Sequence, residues 1–397
     1  MKIRIRHIPR LLLWMPLGAV AQGLPSDTIK TDSVHHIQEV EVVAPHVPRL
    51  LEHNAKGEWT LDPVAVNELP RMLGDSDPMK AFRLLPGVTQ GGELDGGLYV
   101  YGNEPGHNFV CIDGVPVYNS SHLLGFFSIF NTDHFSSFSL NKSYQPIEQG
   151  GRLGAVIEMT PRDSVERHAS LSGNVGILAS RATVGLPIGS HSTLFLSGRV
   201  TYINPILSLI EGDFSNGTRL RYGFQDYNLT YVWQPGSKDK LVLNGYVGDD
   251  LLKMRDHEYQ ADAKLQWLNA IGSFRWEHRF GPKLQLTQRV YLTHYRTQLQ
   301  VLQNALNISL PSRLTDIGYV GKLSHTWQQG SLTAGGTFTR HRLHPQYPET
   351  INVLEGINTG NPGQYTMEEF ALYAEGSHRW NRLTAEVGLR YSGATNR

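Results

Sequence analysis

The feature that most restricts this chain is a two-residue alternation of apolar and polar side chains that returns eleven times between residues 166 and 391. The candidate strands are 166–177, 180–187, 193–203, 222–233, 240–249, 264–280, 283–297, 315–327, 331–342, 367–379 and 382–391. In the fourth, Tyr227, Leu229, Tyr231 and Trp233 share a face opposite Asn228 and Thr230. The seventh sets Leu284, Leu286, Val290 and Leu292 against Lys283, Gln285, Thr287 and Arg289, with Gln288 interrupting the apolar row. The tenth sets Phe370, Leu372, Ala374 and Trp380 against Tyr373, Glu375 and Arg379, and the last sets Leu383, Val387, Leu389 and Tyr391 against Glu386 and Arg390. A period of two belongs to extended backbone and excludes amphipathic helices here.

The connections alternate as well. Short turns ("GSH", "PGSKD", "GPK", "QQG", "WN") lie at one end, and longer segments at 204–221, 250–263, 298–314 and 343–366 at the other. This is the grammar of an up-and-down, antiparallel transmembrane β-barrel with short periplasmic turns and long external loops. Trp233, Trp327 and Trp380 all fall beside a short turn, where an indole suits the half-wet membrane interface. A soluble sandwich or propeller with apolar rows turned inward is the competing architecture. No apolar run of 18 residues occurs, which excludes spanning helices but not spanning strands.

Lys and Arg number 36, as do Asp and Glu, so no net charge favours nucleic acid as a partner. Basic Lys2, Arg4, Arg6 and Arg10, an apolar core from Leu11 to Val20 and small Ala19 and Ala21 predict an export signal over 1–21. The single Cys111, within "FVCIDGV", reads as a small buried hydrophobe.

Residues 22–60 read as a flexible linker with one β-prone patch, "QEVEVVAP" at 38–45. Its Glu39, Val40, Glu41, Val42, Val43 and Ala44 suit strand addition to a partner's sheet edge, or equally the first strand of the next domain. His35 and His36 lack a supporting ligand set, so no metal or other cofactor is expected.

Residues 61–163 predict a compact mixed α/β domain. "DSDPMKAFRLLPGV" contains a helix with Asp75 and Ser76 as cap candidates, Pro78 near its start and a Pro86-Gly87 stop. Strands follow in "LYVYGN" and "HNFVCIDGVPVYN", the second turning at Asp113-Gly114. "SSHLLGFFSIFN" carries Phe126, Phe127, Ile129 and Phe130 and must pack against something. Asp62, Asp75, Asp77 and Asp113 read as turn, cap or solvated residues, and no nucleophile constellation suggests an enzyme.

Taken together, "ELPRMLGDSDPMKAFRLLPGV", "GLYVYGNEPGHNFVCIDGVPVYNSSHLLGFFSIFN" and "YQPIEQGGRLGAVIEMTPRD" resemble the plug of TonB-dependent outer-membrane receptors of the Bacteroidetes type. The resemblance spans about residues 37–163 and continues more loosely through 164–397, read as a partial barrel. It implies that Glu39 to Ala44 form the TonB box, which binds a TonB-like energy-transducing protein in the periplasm. The plug motif it marks comprises Leu85, Pro86, Gly87, Val88, Gly102 and Asn103, then Asp113, Gly114, Pro116, Tyr118 and Asn119, then Gly150, Gly151 and Arg152. Energy-coupled uptake of a ligand across outer-membrane lipid is the activity implied. The chain departs from the family at Tyr101 and Asn103, where a charged and a flexible residue are common, and at Lys142-Ser143-Tyr144 in place of Lys-Gly-Gly.

Eleven strands are half of the roughly 22 that enclose a plug, so a truncated, frameshifted or partial gene is expected. Fewer than 20 residues separate the cleavage site from the box, so the β-sandwich module that many relatives carry ahead of the box is expected to be absent. A non-transporting plug or signalling remnant is the main alternative, and a secreted carbohydrate-binding β protein a further one. The external segments contain Asp213, Phe214, Asn216, Tyr347 and Asn361, which suit a sugar, a peptide or a metal chelate alike.

Overall fold

The computed structural model describes residues 51–397 apart from 55, 71–73, 92–95, 123–124, 215–217, 257, 259, 304–305, 351–362 and 397. The export segment, the 38–45 patch, Asn216 and Asn361 lie outside the described residues.

The first part is a small mixed sheet with two short helices. Its elements are β1 (Leu51–His53), β2 (Glu58–Leu61), α1 (Pro63–Glu68), α2 (Pro78–Phe82), β3 (Val88–Thr89), β4 (Tyr99–Val100), β5 (Phe109–Ile112) and β6 (Val115–Pro116). Then come β7 (Ser121–His122), β8 (Phe127–Ser128), β9 (Phe135–Asn141) and β10 (Val156–Pro161). Six strands order as β1-β2-β9-β10-β5-β6, with β10 and β5 parallel. The sheet thus begins at Leu51, ahead of the expected boundary at residue 61. Its core includes Leu61, Phe82, Leu85, Val115, Phe130, Phe138, Leu140 and Ile157, each nearly or fully shielded.

Both helices begin at an Asp-Pro step. Asp62 accepts from Val64 N at 2.7 Å, and Asp77 accepts from Met79 N at 2.8 Å, each satisfying an orphan donor while proline presets φ. The cap of α2 is therefore Asp77, and the expectation for Asp75 and Ser76 is corrected below. Asp113 (φ 48°) and Gly114 (φ 69°) form the β5–β6 turn, and two positive φ values in a two-residue connection are what a type I′ turn requires.

The second part is an antiparallel meander of eleven strands. They are β11 (Ser170–Val175), β12 (Ala179–Pro187), β13 (Ser192–Thr201), β14 (Thr218–Trp233), β15 (Asp239–Asp256) and β16 (Ala261–Arg279). The series continues with β17 (Leu284–Gln303), β18 (Leu306–Trp327), β19 (Gly330–His344), β21 (Tyr365–Trp380) and β22 (Leu383–Asn396), while the two-residue β20 (Glu349–Thr350) pairs with β18. Its edges, β11 and β22, do not pair with each other.

The expected long connections are corrected in part. Segments 250–263 and 298–314 are mostly strand, with pairing that continues to Asp256↔Ala261 and Gln303↔Leu306. Both faces carry polar side chains there, so the alternation fades although backbone pairing continues. Pro311 also argues against a central strand. It pairs with Gln298 of β17 and, on its other side, falls between the β18–β19 pairing at Arg313↔His344 and the β18–β20 pairing at Ser309↔Glu349. Helix α3 (Asn204–Phe214) occupies much of 204–221.

Side-chain alternation divides the sheet into two faces. Leu243, Val290, Leu292, Ile317, Leu332, Phe370, Leu372, Leu389 and Tyr391 are exposed on the outward face. Trp233, Trp327 and Trp380 are also exposed, each at the short-turn end of its strand. The inward face carries Arg181, Arg199, Asp226, Asn228, Thr230, Asn244, Asp250 and Asn269, all buried. Polar rows inward and apolar rows outward are the reverse of a soluble sandwich and the pattern of a membrane barrel. Among the described residues no helix is long and apolar enough to cross a membrane, a result that does not bear on spanning strands.

Candidate functional site

What covers the inward polar face is the mixed domain, and the contact between the two is the site. One cluster forms around Asp75. Arg181 donates through Nη1 to Asp75, through Nη2 to Ser76 Oγ at 2.6 Å and through Nε to Asp133 at 3.1 Å. Arg199 Nη1 lies 3.1 Å from Asp75 Oδ2, its Nη2 donates to the Ser128 carbonyl at 2.6 Å, and its Nε reaches Asp226 at 2.9 Å. Asp75 and Ser76 are thus buried anchors for two guanidinium groups. Burying such groups is tolerable only because each fork is met by carboxylate, carbonyl or hydroxyl oxygen.

A second cluster holds His122 on β7. Nδ1 lies 2.7 Å from Asp250 and Nε2 3.0 Å from Asp226, and the ring stacks on Phe224 with centroids 4.2 Å apart. Tyr222 donates to the other Asp250 oxygen. A neutral imidazole has one N–H, whereas two ionised carboxylates call for two donors, so this geometry favours the imidazolium. Burial alone lowers the His122 pKa, and the carboxylates of Asp250 and Asp226 more than offset that and raise it above 6.5.

The third cluster surrounds the Asp113-Gly114 turn. Asp113 meets Arg289 Nη2 at 3.0 Å, Arg275 Nε at 3.1 Å and Asn244 Nδ2 at 3.0 Å. Asp113, expected to be a solvated turn residue, is 4% exposed. A side chain on Gly114 would run into Arg289 Nη1.

Further contacts tie the remaining motif residues. Tyr118 donates to Asp316, and the Asn119 carbonyl accepts from Asn269 at 2.6 Å. Pro116 pairs with Cys111, which is buried as a small hydrophobe. Gly150 lies against the Arg390 side chain: a Cβ there would sit 2.6 Å from Nε, so the guanidinium would have to shift to admit it. Gly151 has φ +89°, and the Arg152 carbonyl accepts from Gln145 at 2.9 Å.

Leu85 and Val88 join the plug core, while Gly87 O accepts from Tyr101 N at 2.8 Å and Gly87 packs under the Tyr101 ring. The Pro86 carbonyl accepts from Lys142, whose ammonium also lies over the Trp59 and Tyr101 rings at 5.0 and 5.5 Å. Tyr101 (φ 51°) and Gly102 (φ 80°) end the expected "LYVYGN" strand after Val100, and Asn103 N closes the turn onto the Val100 carbonyl. Tyr144 donates to Glu375 at 2.5 Å and Glu386 at 2.9 Å, and Lys56 joins the same pair. The two departures at Tyr101 and Tyr144 are therefore built into contacts.

The aromatic run packs as its composition required. Phe127 enters a cluster with Tyr222, Phe224 and Trp267 of the barrel wall, and Phe130 enters the plug core. Among the described residues no group of three or more His, Cys, Asp or Glu is placed to hold a metal.

A plug seated by charged anchors on the polar face of a barrel sheet defines a class: the fold is that of the plug and barrel strands of TonB-dependent outer-membrane receptors. Similar solved structures include the outer membrane transporter YddB from Escherichia coli, with TM-score 0.63 and 13% identity, covering 85% of this chain and 56% of that one. The ferric citrate transporter FecA matches with TM-score 0.64 and 12% identity over 86% of this chain and 56% of that one. The siderophore receptor PirA from Acinetobacter baumannii matches with TM-score 0.60 and 14% identity over 85% and 56%. The chain spans a little over half the length of these proteins. No protein-family model matches the sequence, and no curated protein matches it.

Proposed function

We propose that the chain is a TonB-linked receptor of the outer membrane that takes part in energy-coupled ligand uptake. The observation that carries this is the pairing of an apolar outward face with an inward face whose charges are satisfied by a plug. Glu39 to Ala44 add as a strand to a TonB-like protein in the periplasm, and force delivered there works on the plug. Plug anchors of this kind suit such work. Arg181, Arg199, Arg275 and Arg289 exchange carboxylates for water when the plug shifts, while the apolar plug core stays intact. Energy comes from the partner, and the receptor supplies different contacts in its two states. No residue performs bond chemistry in this reading.

The test is deletion of residues 39–44 in the full chain. Co-purification with the periplasmic domain of a TonB-like protein is expected to be lost, while outer-membrane fractionation is unchanged. Retained co-purification would remove the box assignment, and a chain found free in periplasm or medium would remove the receptor reading.

A further inference from the structure

Towards the ends of the β15–β16 and β17–β18 hairpins the two faces of the sheet exchange character. Lower on these strands Asn244 and Ser273 point inward and are buried, while Leu243 and Phe274 point outward and are exposed. Residues directly opposite one another on neighbouring strands share a face, so the register carries this assignment upward. On the inward side Leu252, Leu265, Leu299 and Leu310 form one unbroken cross-strand row. The next inward row is Met254, Ala263, Val301 and Ile308. Between them the outward row is Lys253, Lys264, Gln300 and Ser309. Polar Asp250, Asp256 and Gln303 frame the two aliphatic rows on their own face. Apolar outward rows suit lipid, whereas apolar inward rows behind a polar exterior suit a sheet in water with an apolar filling.

Part of that filling comes from the chain itself. Helix α3 packs on β14, and its Ile206 and Leu207 join the cluster of Phe127, Tyr222, Phe224 and Trp267. Leu252 and Leu265, at the near end of the first row, join the same cluster, as does Phe126 of the plug. Across β17 and β18 the rows run on beyond it. Leu299, Val301, Ile308 and Leu310 are half-buried there, and Met254 is 40% exposed. Four strands and two rows make a strip roughly 14 Å by 7 Å. A continuous apolar strip on the lumenal side of a barrel wall is the surface of a ligand site.

We propose that these two rows, with Phe126 and Phe127 of the plug beside them, bind an uncharged and largely apolar ligand of a few fused or linked rings. Neither row carries a charge, and the charged groups that frame them on the inward face, Asp250 and Asp256, are acids. An anionic chelate would lose its hydration there without meeting a cation on the wall. The lysines at this height, Lys253 and Lys264, belong to the outward row. On the plug side the Lys80 ammonium lies over the Phe126 and Phe127 rings at 4.9 and 5.2 Å. The strip also adjoins a plug anchor. Phe127 and Phe224 have centroids 6.2 Å apart, and Phe224 stacks on the His122 ring, so an occupant of the rows bears on the His122 seat. This inference rests on the receptor reading and names the class of its ligand.

The test uses two fluorescent probes on one ring skeleton, uncharged phenylnaphthylamine and anionic anilinonaphthalene sulfonate. Each is titrated into the full chain in phosphatidylcholine nanodiscs, with empty nanodiscs as the lipid background. Phenylnaphthylamine is expected to bind saturably above that background, and the sulfonate on the order of 10-fold more weakly. L265N/L299N is expected to lower the affinity for the uncharged probe by on the order of 10- to 100-fold. L302Q, the neighbour of Val301 on the outward face, is expected to leave it unchanged. V301K places a cation in the second row and is expected to reverse the preference in favour of the sulfonate.

Equal affinity of wild type and L265N/L299N overturns the proposal, and so does wild-type binding of the sulfonate as tightly as of the uncharged probe. Binding no greater than in empty nanodiscs means that a segment of the chain or another protein covers the rows, which overturns it as well. Should L265N/L299N fail to fold, V301K decides: a reversed preference supports the site, and an unchanged preference removes it. Absence of the chain from outer-membrane fractions defeats the receptor reading, whereas outer-membrane residence without binding to these rows defeats this inference alone.

Discussion

Arg199 reaches from the barrel wall into the plug, where its Nη1 lies 3.1 Å from Asp75 Oδ2. Both side chains are nearly shielded from water, and Arg181 shares the same carboxylate. Replacing Asp75 with Ala leaves two buried guanidinium groups short of a counter-charge. Loss of one partner of such a pair costs about 3–5 kcal/mol. D75A is therefore expected to loosen the plug while the outer strands persist, giving faster amide exchange and protease cleavage near α2 with little change in β-sheet circular dichroism.

The His122 bridge predicts pH dependence with a definite sign. Asp226, Asp250, Arg199, Tyr222 and Phe224 face the ring from the barrel, and its pKa is raised in the folded protein. A raised pKa contributes stability that is fully present below the unfolded value, about 6.5, and is lost as pH rises through the folded value. Plug unfolding measured from pH 5 upward is expected to show that decline in wild type. H122Q, which keeps a donor but no titrating ring, is expected to be flat across the same window and less stable than wild type at pH 5.

The two-part fold was legible because an exposed apolar row of period two, with Leu292, Leu372 and Leu389 in it, stands out without reference to any partner. The seat of the plug was much less so. Asp75 read as a cap candidate beside a helix start and Asp113 as a turn residue before Gly114, because a short acidic side chain in either context has a sufficient local explanation. Their partners lie at Arg181, Arg199, Arg275 and Arg289, far away in sequence. One signal was available: charged residues on the inward parity of barrel strands require a counter-charge from whatever fills the lumen. Beyond the apolar rows both faces carry polar side chains, so the alternation lost its contrast and strands at 250–256 and 298–303 resembled loops.

Gly114 tests the third cluster. Its φ of +69° lies where a Cβ is strained, and the added methyl would meet the Arg289 guanidinium. G114A is expected to cost about 1–3 kcal/mol through backbone strain and to turn Arg289 away from Asp113. Coupling between the two sites is measurable: combined with R289Q, the alanine is expected to cost less than it does alone, because the side chain it collides with is shorter and uncharged.

Leu292 provides the sharpest test of which face meets lipid. It stands on β17 opposite Gly272 and Ile317 in the centre of the apolar belt, and is 48% exposed. In a soluble protein an exposed Leu→Lys change is close to neutral. At the midplane of a bilayer the same change on the lipid face costs about 2–4 kcal/mol. L292K is expected to lower folding yield and unfolding free energy in lipid vesicles by that amount. Thr293, the next residue, points inward and is fully buried, so T293K meets the plug instead and is expected to be destabilising in vesicles and in detergent alike. If L292K were neutral in vesicles, the outward apolar rows would have to be covered by protein, and the membrane assignment of this face would fall with them.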